Sequence, residues 1–192
     1  MTSQWEEFAP EIRSGDADRI NTVVDELNEM GVTERAEVFE DCFAGVTDLY
    51  DSHEDGYVRQ SCVRVVEQLA PKLPAAVNLQ SPEVESPPAE TVHDQTDAVC
   101  GFLLEALTDE DGRVRQSAKR ALQDCIRTYD ALEETETIEG LLEELETMAA
   151  DASGKQEQHL HEAREDAEFF LQSGIGRLIQ GFQEEFGDSL DS

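Results

Sequence analysis

Lysine is almost missing from this chain. Only Lys72, Lys119 and Lys155 occur in 192 residues, against eleven arginines and 45 aspartates and glutamates. The formal charge of −31 opposes approach to a nucleic-acid duplex, and phosphate-dependent binding falls steeply with salt. Long apolar runs are also missing. No stretch reaches the roughly 18 consecutive apolar residues of a membrane-spanning helix, and the opening "MTSQWEEFAP" has neither the basic nor the apolar region of a secretion signal. A cytoplasmic location is therefore expected, with no membrane partner and with reduced thiols. The four cysteines, Cys42, Cys62, Cys100 and Cys125, form no CxxC pair and are expected to pack rather than to cross-link or hold a metal.

Catalytic signatures are scarce. The chain has no GxGxxG, no Walker loop, no HExxH and no nucleophile elbow. The glycine-rich "SGIGRLIQG" at 173–181 follows no strand and reads as a helix interrupted at Gly174 and Gly176. Of the histidines, His53, His93, His159 and His161, the pair in "HLHEARE" is two apart and so faces apart on a helix. Solvated helix surface explains that pair better than a metal site. No catalytic residue, cofactor or metal is expected.

Helical periodicity fills most of the chain. Trp5, Phe8 and Ile12 make the stripe of a short opening helix, and Ile20, Val23, Val24 and Leu27 that of a second, 16–30, ended by Gly31. Thr33 is placed to cap a third helix through Phe39, Phe43, Val46 and Tyr50. A fourth carries Val58, Cys62, Val65, Val66 and Leu69. Five of the six prolines then fall between 71 and 88, so 74–92 reads as an extended acidic loop. The third and fourth helices recur over 94–108 and 113–129, and two more follow from 133, the last opened by a capping box of Ser153 and Gln156.

The recurrence is literal: "EDGYVRQS" at 54–61 returns as "EDGRVRQS" at 110–117. The second copy, "ALTDEDGRVRQSAKRAL", resembles the HEAT-like repeat of the bilin-lyase type through Leu107, Asp109, Val114, Arg115, Ala118 and Leu122. The first matches through Tyr50, Val58, Arg59, Cys62 and Val66, with Asp51 or Asp55 as the turn acid and one extra residue in the turn. The resemblance covers two hairpins, 33–72 and 94–129, and implies an all-α, short HEAT-like helical-hairpin solenoid. On this reading residues 1–132 form the array. Residues 133–192 form an acidic carboxyl-terminal helical hairpin that caps it or dimerises through 133–187. Arg59 and Arg115, with Asp55 and Asp109, are the expected arginine–aspartate ladder that fixes how repeats stack.

The charge map carries the functional expectation. Residues 57–72 carry +2 and residues 112–129 carry +4, while the other 158 carry −37. Second helices of such arrays line the concave face, so Arg64, Arg113, Lys119 and Arg120 form a basic ridge suited to an acidic protein partner. The alternative is a ridge already neutralised by the acidic hairpin at 133–168 or by the "PEVESPPAE" segment of the loop. A non-catalytic adaptor or regulator is the expected role, with a signalling or motility complex as a compatible setting. An enzyme or cofactor handler of the bilin-lyase or DNA-glycosylase kind, or an acidic decoy, is the alternative.

Acidity with little lysine, spread over the whole length, also resembles the proteins of halophilic archaea. At about 1 M salt the Debye length falls to roughly 3 Å, which removes most carboxylate self-repulsion. Thermal unfolding followed by circular dichroism is therefore expected to show Tm rising steadily between about 0.1 and about 1 M KCl. A Tm that stays level or falls would contradict this reading of the charge.

Overall fold

Among the described residues of this computed structural model the sequence's helical stripes are realised as eight α-helices, and no strand occurs. Those residues are 3–72 and 86–187, with side chains described through 172. The helices are α1 (Gln4–Arg13), α2 (Ala17–Glu29), α3 (Val32–Ser52), α4 (Gly56–Leu69), α5 (Ala89–Ala106), α6 (Gly112–Ala131), α7 (Thr135–Asp151) and α8 (Gly154–Gly187). No helix is long and apolar enough to cross a membrane among them.

Helix starts follow from short polar side chains that satisfy the first free amides. Ser3 and Glu6 form a reciprocal capping box on α1. The Asp16 carboxylate accepts from the Asp18 and Arg19 amides at the head of α2. Between these two helices Gly15 takes φ +65°, which lets the chain reverse within a few residues.

The helices pair as four successive hairpins, and the second helices α2, α4, α6 and α8 pack side by side in one row. The first helices lie behind them. α1 packs on α3, and Phe102 of α5 meets α3 edge-on at Phe43 (6.2 Å) and Tyr50 (5.0 Å). A single apolar core runs from Phe8 through Val66 and Leu122 to Ala167. The fold is thus an all-α helical-hairpin solenoid. Its carboxyl-terminal hairpin is the next unit of the stack, since α7 and α8 contribute Leu145 and Leu160 to the same core. The equivalent small residues Cys62 of α4 and Ala118 of α6 are both fully buried in this core.

Four local expectations are corrected. Gly31, at φ −62°, is the N-cap of α3. The helix begins one residue after it, so Thr33 lies inside the first turn. α5 starts at Ala89, so residues 89–92 are helical rather than loop, and Val92 is fully buried. Pro88 as N-cap needs no amide, so a helix can begin directly behind it; residues 74–85 of the expected loop lie outside the described residues. α8 continues past Gly174 and Gly176 to Gly187. Glycine costs a helix about 1 kcal/mol but does not stop it sterically as proline does. Finally, Gln156 sends its Nε2 to the Thr108 carbonyl (3.4 Å), tying α8 to the turn of the preceding hairpin.

Gly45 of α3 faces the indole of Trp5, and a Cβ there would lie 2.2 Å from Cε2. Glycine to alanine inside a helix ordinarily stabilises by about 1 kcal/mol. Here Gly45→Ala must displace α1 and is expected to destabilise, by about 1–3 kcal/mol. The emission of Trp5, the single tryptophan, should shift to the red in the variant. A gain in Tm with unchanged emission would refute the packing described.

Candidate interaction face

The repeated phrase builds the joint between the second and third hairpins. Asp55 and Asp111 are equivalent N-caps, accepting from the Tyr57 and Arg113 amides at 2.8 Å each. Four residues after each cap stands an arginine. Arg59 Nη1 donates to the carbonyls of His53 (3.1 Å) and Glu54 (2.8 Å). Arg115 Nη1 donates in the same way to those of Asp109 (2.5 Å) and Glu110 (2.9 Å). Each arginine thus braces the turn that precedes its own helix. The glycine of the phrase permits close stacking: a Cβ on Gly56 would sit 2.0 Å from Asp111 Oδ2. Gln60 Nε2 adds a bond across the repeats to Ser117 Oγ (3.2 Å).

One complete rung joins the repeats. Arg59 grips Asp109 with two bonds, Nε to Oδ2 at 2.8 Å and Nη2 to Oδ1 at 3.0 Å, and the Tyr50 hydroxyl donates to Oδ2 at 2.7 Å. The two ionic side chains are only 11% and 5% exposed. Burial pushes the Asp109 carboxyl up. The Arg59 hydrogen bonds, the Asp111 amide and the Tyr50 hydroxyl outweigh that and hold it below the ordinary carboxylate value.

The expected ladder is otherwise altered. Asp55 serves α4 as its cap, and the acid gripped by Arg59 is Asp109 of the next hairpin. Arg115 meets His159 Nδ1 at 3.3 Å where a second carboxylate was expected. His53 occupies the place that Asp109 takes one repeat later, since its Nδ1 accepts the Asp55 amide (3.2 Å) as Asp109 Oδ1 accepts that of Asp111 (2.7 Å). The two turns therefore correspond residue for residue at a spacing of 56, without an extra residue.

The four ridge cations are all engaged within the chain. Arg64 Nη2 donates to Asn21 Oδ1 of α2 (2.8 Å). Lys119, 17% exposed, pairs with Glu162 of α8. Arg120 Nη2 holds Glu67 of α4 at 2.9 Å yet stays 61% exposed. Arg113 bonds twice to Asp111, at 3.1 and 2.7 Å, and stays 58% exposed. That pairing, with the Arg113 amide, brings the Asp111 carboxyl down to about 2. The structure therefore splits the ridge along α6. On one side α8 covers it, through Glu162 on Lys119 and Asp166 accepting from Gln123 Nε2 (2.7 Å). On the other side Arg113 and Arg120, seven residues apart, stay open, whereas Arg127 pairs with Asp124 (2.8 Å) and lies over the Phe170 ring of α8 at 5.7 Å.

The histidine pair separates as its spacing requires. His161 is exposed, 3.8 Å from Glu157. His159 is not solvated surface but part of the α6–α8 joint, held below its ordinary value by burial and by the Arg115 charge. His93 had no distinguishing signal in the sequence. Its Nδ1 lies 2.9 Å from Glu134 and its Nε2 3.2 Å from Asp97, which in turn accepts the Tyr129 hydroxyl (2.6 Å). Burial lowers the His93 value, but Glu134 and Asp97 outweigh it and raise it. All four cysteines are free and buried. Burial pushes Cys42, Cys62 and Cys100 up to about 12, far from the thiolate form that nucleophiles use.

Asp109→Asn leaves Arg59 buried without its counter-charge, so it is expected to cost about 3–5 kcal/mol at neutral pH. The native carboxyl lies below its unfolded value, so its contribution is present above about pH 4 and fades as pH falls through the native value. Urea unfolding of both proteins should therefore give a stability gap that narrows below about pH 4; a gap independent of pH would exclude the ionic rung. No protein-family model and no curated protein matches the chain.

Proposed function

We propose that this chain is a HEAT-like adaptor without catalytic chemistry of its own, which docks an acidic segment of a protein partner on the open side of α6. The observation that carries this reading is the exposure of Arg113 and Arg120, 58% and 61%, although each already holds a carboxylate. A guanidinium has five N–H donors. Arg120 spends one of them on Glu67, through Nη2. Arg113 spends Nε and Nη2 on Asp111 and keeps Nη1. The internal carboxylates hold both groups in place on a rigid helix and leave donors pointing outward, which lowers the ordering cost of binding.

The spacing suits an acidic helix laid along α6, with two carboxylates at the same seven-residue interval as Arg113 and Arg120. Planar two-point pairing keeps more of its strength in concentrated salt than point-charge attraction does. Arg64 lies on the neighbouring α4 and extends the face toward α2. Lys119 is left out of the docking face because Glu162 and α8 occupy its side of the helix. The high negative charge fits a partner met in a salt-rich cytoplasm, where bulk repulsion is screened and only close-range pairing discriminates.

The test is affinity capture from a high-salt lysate with wild type, with Arg64, Arg113 and Arg120 all changed to Glu, and with Lys119→Gln. The expected result is one protein retained by wild type and by Lys119→Gln but lost from the triple variant, all three having the same circular dichroism. Identical capture by all three would remove the α6 stripe as the docking face.

A further inference from the structure

Two further cations stand apart from this economy of pairing. Arg35 of α3 is half-buried, and its Nη2 donates to the carbonyls of Met30 (3.0 Å) and Asn28 (3.5 Å) at the end of α2. Its Nε is shut off from solvent and has no acceptor among the described residues. Lys72, just beyond α4, donates to Gln68 Oε1 at 2.6 Å. Neither cation forms an ion pair among the described residues, although the chain holds 45 carboxylates. Both line one cavity of about 220 Å³, walled by Val32, Ala36, Leu69, Pro71 and Pro87.

We propose that this cavity is a binding site for a small organic carboxylate, its charged head on Arg35 and Lys72 and its apolar body against the wall. A buried guanidinium N–H without an acceptor is costly, and two like charges on one pocket add to that cost. A carboxylate offers two oxygens, which can take an N–H of Arg35 Nη1, whose neighbour Nη2 alone is spent on the α2 carbonyls, and a proton of Lys72 Nζ together. The electrostatics agree. Burial holds Arg35 below its ordinary value, and burial followed by the Arg35 charge holds Lys72 below its own, with Asp124 and Glu67 opposing only in part. Glu67 and Asp124 are themselves engaged, by Arg120 and Arg127. A bare inorganic anion would leave the apolar wall uncovered. Drug-sized ligands occupy about 300–1,000 Å³, so the cavity selects something smaller.

The site is independent of the α6 stripe, and its test reads residues the stripe does not contain. ¹⁵N spectra of the full chain in KCl are recorded against isovalerate, isovaleramide (the same body without charge) and inorganic phosphate (charge without the body). The expected result is a saturable shift of the Arg35 Nε–H and of the Val32 and Ala36 amides with isovalerate. The amide and phosphate should bind at least about tenfold more weakly, as loss of a charged hydrogen bond or of the apolar contact requires. Lys72→Gln, which spares the Arg35 bonds to α2, should weaken isovalerate by about tenfold with unchanged circular dichroism. Absence of a saturable shift, undiminished binding in Lys72→Gln, or phosphate binding as tight as isovalerate would each overturn the proposal.

Discussion

The grip of Arg59 on Asp109 is the contact on which the stacking of the molecule turns. It is made across two hairpins, with both groups almost out of water, and the Tyr50 hydroxyl and the Asp111 amide complete the shell around the carboxylate. Its value lies in direction more than in net energy, because desolvating the two ions consumes much of their attraction. A two-point ionic contact accepts one relative placement of the turns. With that placement fixed, Asp111 lies over Gly56, Gln60 reaches Ser117, and α6 runs beside α4 with Arg120 opposite Glu67. The exposed stripe of α6 is a consequence of this register.

A chain of net charge −31 has few cations to spend, and they lie mainly where helices of successive hairpins meet. Arg64 reaches α2, Arg59 and Arg120 join the second hairpin to the third, and Arg115 and Lys119 meet His159 and Glu162 of the fourth. The two halves that composition separated, an array before 132 and an acidic hairpin after it, are held together by these contacts and by one continuous core. Cations at the joints and carboxylates outside also explain how a stack with so much negative charge can close. The repulsion is displaced to the surface, where salt screens it. Arg35 and Lys72, sharing a pocket without a counter-charge among the described residues, are the exception to this distribution.

Much of the fold was legible because it is written in short-range signals. Apolar residues three and four apart placed every helix, and a repeated phrase with identical Asp, Gly, Val and Arg announced that two hairpins are the same unit. What escaped depends on pairs far apart in sequence. Asp55 and Asp109 look alike as turn acids, but one caps its own helix and the other receives Arg59 from fifty residues upstream. The splitting of the ridge could not be read from charge counts, because neighbours on one helix, Lys119 and Arg120, face different partners, α8 and α4. His159 appeared as surface until α8 was laid on α6. Arg35 gave no sign at all, since a lone arginine in an acidic helix looks paired until its surroundings are known.

The measurement that tests this account most directly is a double-mutant cycle on Arg59→Gln and Asp109→Asn, with stability read from urea unfolding in molar KCl. The account predicts a coupling of about 1–3 kcal/mol that survives the salt, as a desolvated pair in one network should show. Additive effects within about 0.5 kcal/mol, as for independent sites, would contradict it and leave the register of the hairpins to apolar packing alone.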